Sequence, residues 1–190
     1  MLKKTKVFFT ILWLLLILTG LLTVIIRPEV ATPEFIASVI QRFSGEMMLV
    51  YLLMNLGRGL FFIPTTPIVL GGALMFPDQL TLVLFISMIG VIFWATAMYY
   101  FAEYLGFSDY FERRYPKGVE LWKSRLERPG STLFVLGWAF FPLVPTDLIC
   151  YAAGIVKMPY KYMVLGVFVG QLTLNALYVF LGVGITELIF

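Results

Sequence analysis

Five of the polar side chains inside the long apolar stretches of this chain are the strongest candidates for chemistry there. They are Asn55, Arg58, Asp147, Gln171 and Asn175. An arginine near the centre of a membrane helix costs about 2.5–3.5 kcal/mol to insert, so we expect Arg58 to face a partner or water rather than lipid. As a cation, Arg58 is a candidate for binding phosphate. A structural pairing with Asp147, or with carbonyls freed at a helix break, accounts for it equally well.

Asp147 also allows two interpretations. It follows Pro145 by two residues, at a point where the chain returns to helix. A carboxylate there could cap the new helix by accepting from backbone N–H groups. It could equally pair with a cation or exchange a proton. The sequence leaves these alternatives open.

A polar stripe runs along the last apolar stretch of the chain. Its members, spaced at i, i+4, i+7 and i+11, are Gln171, Asn175, Tyr178 and Gly182. Such a stripe lines a pathway or forms hydrogen bonds across a helix interface. We favour the pathway, and predict a substrate-binding set of Asn55, Arg58, Asp147, Gln171 and Asn175.

Composition defines the class of protein and excludes several chemistries. The chain is 61% hydrophobic and 13% charged, whereas soluble domains have about 45–50% apolar and 25% charged residues. Without a histidine, and with Cys150 as the single cysteine, histidine catalysis and an internal disulfide are excluded. We therefore expect an integral membrane protein with no catalytic residue, no metal site, no cofactor and no nucleic-acid partner.

The elements that position these residues are marked by a repeated proline motif. One copy reads Phe62-Ile63-Pro64-Thr65-Thr66-Pro67 and the other Phe140-Phe141-Pro142-Leu143-Val144-Pro145. Each copy runs on into a tract of small residues, Gly71-Gly72-Ala73 or Ala152-Ala153-Gly154. Paired prolines interrupt a helix because they remove backbone donors and clash with the preceding turn. Matched interruptions of this kind point to a transporter's binding site. We predict re-entrant breaks at Pro64, Pro67, Pro142, Pro145, Gly71, Gly72 and Gly154.

Segment lengths predict how the chain crosses a membrane. A helix needs about 20 residues to cross the hydrocarbon. The apolar stretches 47–77 and 131–158 are too long for one crossing and too short for two, so each is predicted to be a re-entrant hairpin. The predicted segments are a cytoplasmic N-terminus with a transmembrane anchor (1–26), an external interfacial segment (27–46), a first repeat (47–106), a charged cytoplasmic loop (107–130) and a second, inverted repeat (131–190).

The distribution of positive charge supports this topology. With the N-terminus in the cytoplasm, two cations face outward, Arg27 and Arg42, and Arg58 lies in the membrane. Eleven cations then face the cytoplasm: Lys3, Lys4, Lys6, Arg113, Arg114, Lys117, Lys123, Arg125, Arg128, Lys157 and Lys161. This excess follows the positive-inside rule. A single crossing in place of either hairpin would move positive clusters outside. Two hairpins, or tight two-pass pairs, of opposite orientation are therefore predicted.

These motifs resemble the DedA superfamily, also called the VTT-domain or SNARE-associated Golgi protein family. The resemblance covers residues 47–186 and lies in both proline motifs, their small-residue tracts, Tyr104-Leu105-Gly106, and Gly166 with Gly170. Members commonly carry an arginine where this chain has Ala139. Many also have acids in the first hairpin and arginines in the second, the reverse of Arg58 and Asp147 here.

The resemblance implies a fold and a function. The implied fold is an all-α polytopic membrane protein, with two inverted repeats that each pair a re-entrant hairpin with a full transmembrane helix. The implied function is movement of a phospholipid or undecaprenyl phosphate between leaflets, in a bacterial cytoplasmic membrane, with membrane lipid as the partner and oligomers possible. A proton- or ion-coupled solute transporter and a non-transporting assembly factor are the alternatives.

Overall fold

The structure, a computed structural model, describes residues 2–61, 63–104, 113–126, 130–142 and 144–189. Within these ranges every regular element is helical. The α-helices are α1 (Leu2–Ile26), α2 (Pro33–Gln41), α3 (Met47–Gly57), α4 (Thr65–Met75), α5 (Leu80–Tyr104), α6 (Pro116–Leu126), α7 (Gly130–Phe140), α8 (Thr146–Ile155) and α9 (Tyr160–Ile189). Short 3₁₀ turns cover Pro28–Ala31, Arg58–Leu60 and Pro77–Gln79. The motif residues Phe62, Leu143, Leu105 and Gly106 and much of the charged loop lie outside the described residues.

The chain forms two compact units, which we call the first and second unit. The first unit contains α1 to α4, the part of α5 up to Gly90 and the part of α9 from Asn175 onward. The second unit spans Val91–Leu174, which includes α6, α7 and α8. Each unit therefore holds one proline motif together with parts of both long helices.

Two helices in the described part of the chain are long and apolar enough to cross a membrane. They are Pro77–Ala102, of 26 residues, and Tyr160–Gly182, of 23 residues. Each follows the predicted hairpin of one repeat, where a full transmembrane helix is expected. The 25-residue helix α1 occupies the predicted anchor, and its crossing of the bilayer stays a prediction. The inverted relation of the two repeats also stays a prediction.

Both proline motifs interrupt a pair of short helices. The first interruption lies between Gly57 and Thr65 and contains a 3₁₀ turn followed by Pro64 in an extended conformation (φ −58°, ψ 147°). The second lies between α7 and α8, and Pro145 is again extended (φ −60°, ψ 118°). Helices of 11 residues are about 16 Å long, roughly half the hydrocarbon thickness.

The small residues and Pro67 occupy helical positions rather than the interruptions themselves. Pro67 lies in the first turn of α4, where its missing N–H would have had no helical acceptor. Gly71 and Gly72 lie in the middle of α4, and Gly154 lies near the end of α8. An added Cβ on Gly72 would come within 2.5 Å of the Tyr51 ring. These glycines therefore permit close packing, and the chain breaks beside them.

Helix α2 packs its apolar face on α4. Thr32 begins the helix by accepting a hydrogen bond on Oγ1 from the Phe35 amide at 3.3 Å. Ile36 and Ile40 are buried in the core of the first unit, and an added Cβ on Gly71 would lie 2.7 Å from Ile36 Cγ2. Although segment 27–46 is predicted to be interfacial, the centre of this face belongs to the protein core. Phe43, just beyond the end of α2, is exposed.

Close backbone contacts also organise the second unit. An added Cβ on Gly166 would lie 2.7 Å from the Thr132 carbonyl oxygen, and one on Gly170 would lie 2.6 Å from the Leu136 carbonyl oxygen. Gly166 and Gly170 therefore let α9 lie close against the backbone of α7.

Candidate functional site

Arg58 lies at the first interruption, directly after the last residue of α3. It begins the 3₁₀ turn and only 3% of its surface is exposed. Its Nη1 donates to the carbonyl oxygen of Ile63 at 3.5 Å, which belongs to the interrupted backbone. A buried arginine thus supplies both a positive charge and a donor to a carbonyl that has left the helical hydrogen-bond ladder.

Asn55 lies one helical turn before Arg58 and is completely buried, with 0% of its surface exposed. Its Nδ2 donates to the carbonyl oxygen of Tyr51 at 2.9 Å. Residues three apart lie on the same side of a helix, so Asn55 and Arg58 form a polar pair that ends α3. We call these two residues the Asn55–Arg58 pair.

Two further residues extend this buried polar region. The Tyr51 hydroxyl lies 2.6 Å from Ser87 Oγ, and Ser87 Oγ is 2.7 Å from the Val83 carbonyl oxygen, to which it donates. Neither residue belongs to the predicted site. The signal that could have found Tyr51 is its position four residues before Asn55 in the same helix. No sequence signal distinguishes Ser87 from the other hydroxyl residues of α5.

Asn175 is the third predicted site residue in the first unit. It is buried, and its Nδ2 lies 3.8 Å from the sulfur of Met88. Further along the predicted stripe, an added Cβ on Gly182 would lie 2.9 Å from Leu70 Cδ2. Asn175 and Gly182 therefore make helix contacts inside this unit, and a pathway along the stripe stays a prediction.

Asp147 and Gln171 lie in the second unit. Asp147 is 7% exposed and occupies the first turn of α8, where a carboxylate interacts favourably with the positive end of the helix dipole. Gln171 Nε2 donates to the Ala139 carbonyl oxygen at 2.6 Å and to Thr146 Oγ1 at 2.8 Å. Gln171 thus joins the end of α7 to the beginning of α8 across the interruption, a structural role on a residue predicted to bind substrate.

Trp138 adds a second bond across the same interruption. Its indole Nε1 donates to the Pro145 carbonyl oxygen at 3.3 Å. Sequence reasoning missed both this bond and the Thr146 contact. Among the described residues, no group of three histidine, cysteine, aspartate or glutamate side chains could hold a metal ion.

The fold and the buried polar residues define an α-helical membrane protein with two interrupted helix pairs. The VTT domain family matches residues 63–184, which is more than half of the chain, and the protein belongs to this family. The match begins just after the Asn55–Arg58 pair, so these two residues and helices α1 to α3 precede the matched region. No curated protein and no solved structure matches this chain.

Proposed function

We propose that this protein moves a phosphate-bearing lipid headgroup, of a phospholipid or a polyprenyl phosphate such as undecaprenyl phosphate, between the leaflets of a bacterial cytoplasmic membrane. Membership of the VTT domain family supports a membrane role. The observation that carries the lipid assignment is the burial of Arg58 at the first interruption. The proposal involves no catalytic step and no cofactor.

The depth of Arg58 supports this proposal. With α3 beginning at a membrane surface, its 11 residues bring the chain about 16 Å into the bilayer, near the middle of a hydrocarbon layer of roughly 30 Å. The largest barrier to lipid exchange is the passage of the charged headgroup through this layer. A cation at mid-depth lowers that barrier for phosphate, while the acyl or prenyl chains remain in lipid.

The helix that follows the interruption favours the same ligand. Helix α4 begins at Thr65, and the first N–H groups of a helix have no intrahelical acceptor and form a positive end. The corresponding turn of α8 carries the acid Asp147, which disfavours a phosphate. The first interruption is therefore the better anion site of the two.

Purified protein in liposomes tests this function. The measurement is leaflet exchange of a labelled phospholipid and of labelled undecaprenyl phosphate, compared with empty liposomes. Because a charge-assisted hydrogen bond contributes about 1.5–3 kcal/mol, Arg58→Ala should slow exchange by about 10- to 100-fold. Arg58→Lys keeps the charge and should retain part of the rate. The matched control is Arg42→Ala, since Arg42 is an exposed arginine of the same unit.

Two results would contradict the proposal. One is wild-type exchange no faster than in empty liposomes, for both lipids. The other is an equal rate for wild type and Arg58→Ala, which would leave Arg58 with a purely structural role.

Proton- or ion-coupled transport of a small solute is a second candidate, because Asp147 is a buried acid in a membrane protein. It requires uptake that saturates with solute, depends on an ion gradient and is abolished by Asp147→Asn. Lipid exchange that needs no gradient and persists in Asp147→Asn would favour the first proposal.

A further inference from the structure

Asn55 carries a buried hydrogen-bond acceptor that the described protein leaves unsatisfied. Its Nδ2 donates to Tyr51, but its Oδ1 accepts no hydrogen bond within the described residues. Nearly all buried side-chain polar atoms in native proteins have a partner, and leaving one without a partner costs more than a typical hydrogen bond contributes. A donor from outside the chain would remove this cost.

The position of this acceptor is well defined. Turning the amide over would place Oδ1 against the Tyr51 carbonyl oxygen, where two acceptors would repel each other, so the bond to Tyr51 sets the amide orientation. On its other side Asn55 packs closely against Gly90 of α5. An added Cβ on Gly90 would lie 2.8 Å from Asn55 Cβ and 3.0 Å from the Asn55 carbonyl oxygen. The hydrogen bond to Tyr51 and the close packing against Gly90 therefore fix where the Asn55 Oδ1 acceptor lies.

Arg58 supplies the second half of a recognition element, one helical turn away and also buried. A guanidinium recognises an anion, and an amide oxygen recognises an N–H or O–H donor. Phosphoethanolamine and phosphoglycerol headgroups carry both a phosphate and such a donor. Phosphocholine has the phosphate without any N–H or O–H.

We propose that Asn55 is a specificity-determining residue, whose Oδ1 accepts a hydrogen bond from the ammonium or hydroxyl group of a headgroup bound through its phosphate by Arg58. This inference rests on the proposed function and narrows its substrate class. Lipids with a headgroup donor are exchanged faster than lipids without one.

The test compares three labelled lipids in the same liposomes: phosphatidylethanolamine, its N,N-dimethyl derivative and phosphatidylcholine. The dimethyl lipid keeps one N–H and is nearly as large as choline, so it separates hydrogen bonding from size. A single hydrogen bond changes a rate by about two- to tenfold. Wild type should therefore exchange both N–H lipids about two- to tenfold faster than phosphatidylcholine. The drop in exchange rate should fall between the dimethyl and choline lipids.

The Asn55→Leu variant should exchange all three lipids at similar rates. The ratio of two lipids in one liposome preparation is independent of the amount of folded protein, so partial loss of the variant does not obscure the result. Gln79→Leu is the control, because Gln79 is an exposed amide of the same unit, and it should keep the wild-type ratios.

The wild-type series can overturn the inference without any variant. Equal wild-type rates for the dimethyl and choline lipids, or a gradual decline with headgroup size, would exclude a hydrogen bond to Asn55 while leaving lipid transport intact. Wild-type ratios retained in Asn55→Leu would do the same. No exchange of any lipid by wild type would instead overturn the proposed function, and this inference with it.

Discussion

The two interrupted helix pairs solve the same backbone problem with different side chains. At the first, a buried cation donates to the freed carbonyl of Ile63. At the second, a neutral amide on α9 donates to the Ala139 carbonyl and the Thr146 hydroxyl. The comparison teaches that the same motif can carry either a buried charge, which suits the proposed phosphate ligand, or a neutral amide that joins the two helices.

The ends of the two pairs differ as well. Helix α4 leads through Phe76, with ordinary negative φ (−128°), into the turn before α5. Helix α8 ends at Ile155, and two residues later Lys157 has a positive φ of 54°. The amides of Lys157 and Met158 donate to the carbonyls of Gly154 and Ala153 at 3.2 and 2.9 Å. This bonding pattern is a Schellman-type helix end, at which glycine is the favoured residue.

The largest expected loss of stability comes from substituting Gly154, which makes the closest backbone contact of the second pair. An added Cβ on Gly154 would overlap the Tyr99 carbonyl oxygen of α5, which cannot move without shifting the helix. Because overpacking costs about 1–3 kcal/mol, Gly154→Ala should lower the free energy of unfolding by about 3 kcal/mol, measured by denaturant titration in detergent.

Two further glycine-to-alanine substitutions serve as comparisons for the stability loss expected at Gly154. Gly72→Ala, in the first pair, meets the Tyr51 side chain rather than a carbonyl and should cost less. Gly137→Ala has no neighbour within 4 Å and should leave stability equal or higher, since alanine favours helix over glycine. A loss at Gly137 as large as at Gly154 would show that backbone contact does not control the difference.

The next largest loss of stability is expected from removing the hydrogen bonds by which Gln171 joins α7 to α8. Gln171→Leu leaves the buried Ala139 carbonyl without this donor, which costs about 1–3 kcal/mol, so we expect a loss of about 2 kcal/mol in the same titration. Asn55→Leu removes a single bond to its own helix and also an unsatisfied acceptor, so it should cost less than Gln171→Leu. The opposite order would mean that the first pair, not the second, is stabilised by its amide.

The smallest expected change in the free energy of unfolding is a gain, from a substitution at Lys157. A left-handed conformation costs a residue other than glycine about 1–2 kcal/mol, partly offset by the greater freedom of glycine in the unfolded chain. Lys157→Gly should therefore raise the free energy of unfolding by about 0.5–1 kcal/mol. Lys157→Ala removes the same charge but keeps the backbone cost, so it should give no such gain; equal gains in both would assign the effect to charge.

Much of the fold follows from local chemistry. Prolines interrupt helices wherever they lie, so both interruptions were predictable, and apolar length predicted the two long helices. The cost of a lipid-exposed arginine predicted that Arg58 would be sheltered. The breaks were less accurately placed, because a proline in the first turn of a helix, such as Pro67, is tolerated there.

The candidate site was only partly predictable. Asn55 and Arg58 share a face because they are three residues apart. The clamp by Gln171, 32 residues from Ala139, and the contact between Ser87 and Tyr51, 36 residues apart, depend on which helices pack together. Periodicity within one helix carries no such information.

The sequence by itself determined an all-helical membrane protein, two interrupted helix pairs and an arginine that must be sheltered, because proline geometry and the cost of charge in lipid act locally. The tertiary structure alone decided that Gln171 closes the second interruption, that α2 covers α4, and that the Asn55 oxygen is left as a buried acceptor beside Arg58. Those outcomes depend on distant backbone segments approaching closely enough to supply a donor, fill a space or leave a polar atom unsatisfied.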